Sequence, residues 1–168
     1  MPDDKVINRV INGSTHVVLL GAGASKASLP NGDKHGNIVP LMNELNLIPE
    51  VKKFLLKYNL EISEVTFEEF YSNLVNANID KHILIELNEI IYSYFKRLQL
   101  PDYPTIYDYL VLSLKESDVI ATFNWDPFLV QAYLRAKKVT SKLPTVFFLH
   151  GTVALGRCAK HNIRVVAM

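Results

Sequence analysis

Three short apolar segments stand out from the more polar background of the chain, and each ends at a turn-forming residue. They cover residues 16–20, 119–123 and 145–149. Each is rich in β-branched or aromatic residues, a composition that favours β-strands. Because nearly every position is apolar, we predict strands covered on both faces, as in a parallel sheet between two layers of helices. A fourth candidate strand covers residues 163–167.

Between the first two strands, the apolar positions repeat every three or four residues, which is the period of an α-helix. One stripe covers residues 67–74, where Thr66 and Glu69 fit a capping box, and a second covers residues 83–98 and stops before Pro101. A weaker helical region at 41–58 is broken by Pro49, and further helices are predicted at 106–115 and from residue 128. The order strand, helices, strand, helix, strand predicts an open α/β sheet, with residues of about 40–100 as a helical cap or insertion.

A glycine-rich turn follows the first strand directly and consists of Gly21, Ala22, Gly23, Ala24 and Ser25. Glycines permit a tight turn from strand to helix and allow a ligand to approach the backbone closely. The free N–H groups at the start of the following helix favour a pyrophosphate. The turn therefore predicts a dinucleotide site, although it is also compatible with a purely structural role.

The turn departs from two well-defined phosphate-binding patterns. The dehydrogenase fingerprint requires a third glycine where this chain has Lys26, and an acidic residue at the end of the next strand. Glu44 is near that spacing but lies in a helical pattern. The Gly-Lys-Ser/Thr ending of a Walker-type loop is absent, which excludes that class of nucleotide site.

Polar residues follow the second and third predicted strands. Thr122, Asn124 and Asp126 come at the end of the second strand, and His150 follows the third. Because the carboxyl ends of parallel strands open on one edge of a sheet, we expect these residues and the glycine turn to meet in one crevice. Asp126 before Pro127 also fits a helix N-cap, and Asn124 also fits a residue that stabilises the turn by hydrogen bonds. A histidine at this edge is suited to proton transfer.

Composition narrows the possible partners and location. A length of 168 residues suits one domain. The chain has 18 Lys plus Arg and 17 Asp plus Glu, and no stretch of it is densely basic. We therefore do not expect it to bind nucleic acid. Cys158 is the single cysteine, so no intrachain disulfide can form. The N-terminal sequence does not read as a secretory signal, and no apolar run approaches the roughly 20 residues of a membrane span. We therefore expect a cytoplasmic protein without membrane contact.

The three motifs together resemble those of the sirtuins and their bacterial sirtuin-like relatives. They are Gly-Ala-Gly-Ala-Ser at 21–25, Thr-Phe-Asn-Trp-Asp at 122–126 and His-Gly at 150–151, and the resemblance spans about residues 17–151. It implies an α/β fold with a Rossmann-like open parallel sheet and a helical cap. It also implies that the glycine turn binds the NAD phosphates, that Asn124 and Asp126 line the nicotinamide-ribose pocket, and that His150 is the catalytic base. Residues 29–32 resemble the segment that closes over the cofactor.

The chain departs from the protein deacylases of that family. It lacks the Gly-Ile-Pro-Asp-Phe-Arg type of stretch in their cofactor loop and the two Cys-x-x-Cys pairs of their zinc module. The resemblance is therefore to the branch found in bacterial antiphage systems, many members of which are NAD glycohydrolases. We expect an enzyme that cleaves NAD to nicotinamide and ADP-ribose, with a role in antiphage defence. A non-catalytic sensor of NAD or an ADP-ribose derivative, and an NAD-dependent protein deacylase, remain as alternatives.

Sirtuin-like domains are usually longer than this chain. We therefore expect residues 1–168 to form a single but incomplete domain, truncated at its C-terminus. No zinc is expected, because Cys158 and His161 supply only half of a four-ligand site. Besides NAD, the open partner hypotheses are a homo-oligomer, in which a second copy covers the sheet edge, and a protein of a defence system.

Overall fold

The computed structural model describes residues 14–62, 65–158 and 163–166, which form a mixed α/β structure. A three-stranded sheet contains β1 (Val17–Leu20), β2 (Val119–Thr122) and β3 (Thr145–Phe148), in that order. Both pairings are parallel, and β2 lies in the middle. The three strands predicted from the apolar segments are thus confirmed, and each observed strand is one residue shorter than predicted.

Most of the remaining described chain is helical. The helices are α1 (Ala22–Ser28), a 3-10 helix (Met42–Leu47), α2 (Pro49–Lys57), α3 (Phe67–Asn76), α4 (Lys81–Arg97), α5 (Ile106–Ser113) and α6 (Phe128–Ala136). The predicted capping box starts α3, since the Thr66 hydroxyl accepts from the Glu69 amide and the Glu69 carboxylate accepts from the Thr66 amide. Pro49 occupies the first position of α2, where its missing N–H removes no helical hydrogen bond.

The two faces of the parallel sheet differ, contrary to the prediction that both are covered. On one face, Leu20, Ile120 and Thr122 are buried. A single hydrophobic cluster joins this face to residues of α2, α3, α4, α5 and α6. On the other face, Val17 is 70% exposed, Leu19 62% and Phe147 53%. The apolar pattern indicates that both faces of the sheet can be buried, but in the described part of the chain the helices bury only one face.

The last two strands form a separate sheet. β4 (Leu155–Cys158) and β5 (Ile163–Val166) pair antiparallel with each other. The fourth predicted strand therefore exists, but it belongs to a hairpin and does not extend the parallel sheet. A short apolar strand does not by itself indicate its pairing partner. None of the helices in the described ranges combines the length and the apolar composition needed to cross a bilayer.

Candidate functional site

A cavity of about 170 Å³ lies at the carboxyl ends of the parallel strands. Its walls contain Ala22 and Ser25 from the turn after β1, Asn124 and Asp126 from the turn after β2, and His150 after β3. The convergence predicted from parallel strands is therefore observed. The remaining lining residues are Pro40, Leu41, Met42, Leu45, Phe95, Phe123 and Trp125.

Four residues of the predicted site do not line this cavity. Thr122 is buried, and its hydroxyl accepts a hydrogen bond from the Asn124 amide at 3.0 Å, so it shapes the turn after β2. The other three are neighbours of the lining residues Ala22 and Ser25 in the sequence: Gly21 immediately precedes α1, and Gly23 and Ala24 lie in its first turn. A Cβ placed on Gly21 or Gly23 would have no atom within 4 Å, so the space in front of both glycines is open.

The Ser25 hydroxyl is the centre of a buried hydrogen-bond network. It donates to Asp126 Oδ2 at 2.6 Å and accepts from Asn124 Nδ2 at 2.8 Å. It also lies 2.7 Å from the Tyr107 hydroxyl. Since the single Ser25 proton is directed to Asp126, the Tyr107 hydroxyl donates to Ser25. One serine side chain therefore ties together the turns after β1 and β2.

Tyr107 is a member of this site that the sequence analysis did not identify. It lies near the start of α5, is 3% exposed, and its hydroxyl also lies 3.3 Å from Asn124 Nδ2. Burial, followed by the nearby Asp126 carboxylate, raises the pKa of Tyr107, so the phenol stays protonated and can donate. The sequence signal that could have found it is a tyrosine near the start of a predicted helix, because a buried tyrosine hydroxyl usually requires a polar partner.

Asp126 lines the cavity and also caps the following helix. Its Oδ2 accepts from Ser25, and its Oδ1 accepts from the Phe128 amide at 3.2 Å at the start of α6. Helix α6 begins at Phe128, with Pro127 before it, so Asp126 caps the helix from one position earlier than predicted. Burial raises the pKa of Asp126 to about 6, although the hydrogen bonds from Ser25 and Phe128 oppose the shift.

Asn124 carries an unpaired acceptor in the cavity wall. The residue is 6% exposed and its Nδ2 is bonded within the network, whereas its Oδ1 is buried without a hydrogen-bond partner among the described residues. A buried acceptor without a partner costs about 1–3 kcal/mol. A ligand that donates a hydrogen bond to Oδ1 would remove this cost, and a ribose hydroxyl, an amide or a water molecule all fit that requirement.

His150 differs from the rest of the site because its side chain is exposed. Its ring packs edge-to-face on Phe123, with the centroids 5.0 Å apart, and no hydrogen bond to the imidazole is found in the described part of the chain. Gly151 follows with φ of +76°, a left-handed conformation that favours glycine. The chain then turns back, and the Val153 amide donates to the Trp125 carbonyl at 2.9 Å. The other described histidines, His16, His35 and His82, do not line the cavity.

The segment from Pro40 to Leu45, which we call the cover, contributes four lining residues to the cavity. Residues 29–32, which the resemblance suggested as the closing segment, do not line it. Lys26 of α1 forms an ion pair with Glu44 of the 3-10 helix, and Glu44 also accepts from the Leu41 amide at 2.9 Å. The Leu41 amide and then Lys26 lower the pKa of Glu44. Glu44 therefore lies in the 3-10 helix, in agreement with the helical pattern of the sequence, and its ion pair ties the cover to α1.

The described residues contain no group of three His, Cys, Asp or Glu side chains that could hold a metal ion. Cys158 is the last residue of β4, and His161 lies outside the described residues. The expectation that Cys158 and His161 do not bind zinc in this chain therefore stays a prediction.

The comparisons with known proteins do not assign the chain to a family. No protein-family model matches it, and a search of curated proteins finds no similar sequence. The chemistry of the cavity therefore carries the functional argument.

Proposed function

We propose that the chain binds NAD at the carboxyl edge of a Rossmann-like sheet and hydrolyses the bond between nicotinamide and ribose. The observation that carries the proposal is the convergence of three strand ends on one cavity with an unpaired Asn124 Oδ1 and an accessible His150. The open space in front of Gly21 and Gly23 supports a close approach of the pyrophosphate to the backbone.

The size of the cavity limits which part of NAD enters it. Ligand pockets for drug-sized molecules usually measure about 300–1,000 Å³, and this cavity measures about 170 Å³. It therefore takes the nicotinamide and the adjoining ribose, while the pyrophosphate and the adenosine lie outside, along the glycine turn. The cover from Pro40 to Leu45 shields the reacting bond from bulk solvent.

Hydrolysis breaks the bond between ribose C1′ and the nicotinamide nitrogen, and the electron pair leaves with nicotinamide as a neutral molecule. A water molecule attacks C1′ and its proton passes to His150, whose exposed imidazole has access to solvent. General-base assistance of this kind contributes roughly 10²–10⁴ in rate. Asn124 Oδ1 accepts a hydrogen bond from the ribose or the attacking water and so orients it.

Asp126 has a positioning role in this mechanism. Both of its carboxylate oxygens are occupied by the Ser25 hydroxyl and the Phe128 amide. It therefore acts through Ser25, which holds the Asn124 amide group in one orientation. Asp126 lines the cavity, but in this mechanism it acts on the ribose only through Ser25 and Asn124.

A non-catalytic NAD sensor is the second candidate, and a specific feature of His150 favours it. Catalytic bases are commonly oriented by a hydrogen bond from a third group, and none reaches this imidazole among the described residues. In a sensor, the same cavity would bind NAD or an ADP-ribose derivative without breaking a bond.

Turnover separates the two candidates. The purified chain is incubated with NAD, nicotinamide and ADP-ribose are quantified by chromatography, and NAD binding is measured by calorimetry. Equal amounts of both products, formed at a rate proportional to protein concentration, support the glycohydrolase. Binding without product supports the sensor, and the absence of both binding and product contradicts the proposal.

A further inference from the structure

A second and larger cavity, of about 730 Å³, adjoins the first. We call it the aromatic groove, and its most characteristic lining residues are Phe67, Tyr71, Tyr92 and Trp125. The two cavities share Met42, Phe95, Trp125 and His150 as a common wall. Its volume falls within the range of about 300–1,000 Å³ that is typical of small-molecule sites, whereas hydrolysis requires space for a single water molecule.

The charges around the groove restrict its ligand. Among the described lining residues there is no lysine or arginine, and Glu68 is a carboxylate without a described hydrogen-bond or ion-pair partner. The Lys96 ammonium lies 5.7 Å from the Tyr92 ring centroid but does not line the groove. An anion would therefore meet an uncompensated acidic group, while a neutral or cationic molecule with an aromatic ring would stack on the tyrosines and Trp125.

The position of His150 links the groove to the chemistry of the first cavity. Ser25, Asn124 and Asp126 line the small cavity only, whereas His150 lines both. In a substitution at ribose C1′, the leaving group and the nucleophile occupy opposite sides of the reacting carbon. With nicotinamide held in the small cavity, a nucleophile in the groove would approach past the imidazole that accepts its proton.

We propose that the aromatic groove binds a small, neutral or cationic aromatic alcohol, which replaces water as the acceptor of the ADP-ribosyl group. The inference rests on the proposed cleavage of NAD. In the step, the bond between C1′ and the nicotinamide nitrogen breaks and its electron pair leaves with neutral nicotinamide. A bond forms from the alcohol oxygen to C1′, and the hydroxyl proton passes to His150. No oxidation or reduction takes place.

The test compares three probe alcohols in the NAD reaction of the intact chain: methanol, benzyl alcohol and 4-(hydroxymethyl)benzoate. Total turnover is followed as nicotinamide, and the ADP-ribosyl adducts and ADP-ribose are quantified separately. Per mole of alcohol, we expect benzyl alcohol to form adduct at least about tenfold more efficiently than methanol, because its ring is buried in the groove. The carboxylate-bearing probe should be disfavoured, and Glu68→Gln should reduce that discrimination.

Variants of the groove provide the control for chemical reactivity. Tyr92→Ala, at a residue that is 46% exposed, should lower the preference for benzyl alcohol at least about threefold. Tyr71→Ala should act in the same direction, with nicotinamide release into water unchanged in both variants. Tyr109→Ala, at a tyrosine that is 63% exposed and outside both cavities, should leave the preference unaltered. Thermal melts establish that each variant is folded.

The outcomes separate this inference from the proposed function. Nicotinamide release with adducts in equal proportion for methanol and benzyl alcohol, unaffected by the groove variants, would overturn the groove inference while the glycohydrolase stands. An acyl-lysine peptide that accelerates nicotinamide release and loses its acyl group would assign the groove to a peptide and also overturn the inference. Absence of nicotinamide release under all conditions would contradict both proposals.

Discussion

At the scale of single residues, Ser25 determines how the site is organised. It is 1% exposed, and its hydroxyl contacts three buried polar groups, which belong to Tyr107, Asn124 and Asp126. Such networks are stabilising only when their members are satisfied. In this network, Asn124 Oδ1 is the acceptor that has no hydrogen-bond partner among the described residues.

His150→Ala should abolish most nicotinamide release while leaving the thermal stability almost unchanged. The imidazole is exposed and its ring contact is with Phe123, so its removal creates no buried cavity. We expect a loss of roughly 10²–10⁴ in the rate constant, the usual contribution of a general base. Steady-state kinetics and a thermal melt on the same sample check this. Turnover near that of the wild type would show that another group accepts the proton.

Tyr107→Phe should lower kcat for nicotinamide release more than it raises KM. The substitution keeps the ring in the core but removes the hydroxyl that donates to Ser25, which allows Ser25 and Asn124 to reorient. The loss of one buried hydrogen bond should cost about 1 kcal/mol of unfolding free energy. Tyr109→Phe, on the exposed side of the same helix, is the matched control. Unchanged kinetics in a Tyr107→Phe variant of lowered stability would restrict Tyr107 to a structural role.

At the scale of elements, the turn from β1 into α1 is built differently from the sequence expectation. Neither Gly21 nor Gly23 has a positive φ, so these glycines are not required by the backbone conformation. A Cβ at either position would enter open space. Backbone strain therefore does not explain glycine at either position, whereas the close approach of a pyrophosphate that we propose would.

Gly23→Val should therefore fold normally but fail to bind NAD. Gly23 is the second residue of α1, where a valine is tolerated by the helix, and its side chain would project into the open space proposed for the pyrophosphate. Calorimetric titration with NAD measures the effect, and Gly23→Ala should show a smaller loss of affinity. A folded Gly23→Val variant with wild-type affinity would mean that the pyrophosphate lies elsewhere.

The loop before the cavity cover depends on Asp33, which is 6% exposed. Its carboxylate accepts from the amides of His35, Asn37 and Gln99, so it ties the loop to the end of α4. Burial raises the pKa of Asp33, but these amide hydrogen bonds outweigh it and the net pKa is lowered. The loop that leads into the cover is thus anchored to Gln99, which is 66 positions from Asp33 in the sequence.

Asp33→Ala should destabilise the protein by on the order of 3 kcal/mol, because several buried amides lose a charged acceptor at once. The effect should shrink as the pH falls, since a carboxylate with a lowered pKa contributes stability that is lost on protonation. Urea unfolding of the variant measures it. Asp102→Ala is the control, because Asp102 is 80% exposed and pairs only with Lys34. Equal stability of the two variants would contradict the anchoring role.

At the scale of the whole molecule, burial of a charge within the site opposes folding near neutral pH. Asp126 has a pKa raised from its ordinary value of 3.8 to about 6, chiefly by burial. A carboxyl group with a raised pKa contributes stability below its unfolded pKa, and that contribution is lost as the pH rises through the folded pKa. The other shifted carboxylates, such as Asp33 and Asp118, have lowered pKa values and produce the opposite trend.

The difference in unfolding free energy between the wild type and Asp126→Asn isolates this contribution. Between about pH 4 and pH 7, the wild type should lose about 2–3 kcal/mol relative to the variant, which has no titrating group at this position. Denaturant unfolding at a series of pH values measures the difference. Asp102→Asn should show a trend of opposite sign. A difference that is constant with pH would mean that Asp126 titrates equally in the folded and unfolded chain.

The sequence by itself determined the features that depend on neighbouring residues. The β-branched and aromatic runs located the three parallel strands. The helical periodicity located the helices between β1 and β2, including the capping box at Thr66 and Glu69. Because parallel strands end on the same side of a sheet, the sequence also predicted that the polar residues after the strands meet in one cavity. The residues that do so are Ser25, Asn124, Asp126 and His150. These predictions rest on local periodicity and on sheet geometry alone.

Only the tertiary structure decided which distant residues meet. Tyr107 is 82 positions from Ser25, and Asp126 is 101 positions from it, so no local pattern reports their hydrogen bonds. The same holds for the aromatic groove, which forms where α3 and α4 face Trp125, and for the pairing of β5 with β4 instead of the parallel sheet. Apolar periodicity indicates that a face can be buried, but the packing between elements decides what covers that face. On one side of this sheet, the packing leaves Leu19 exposed.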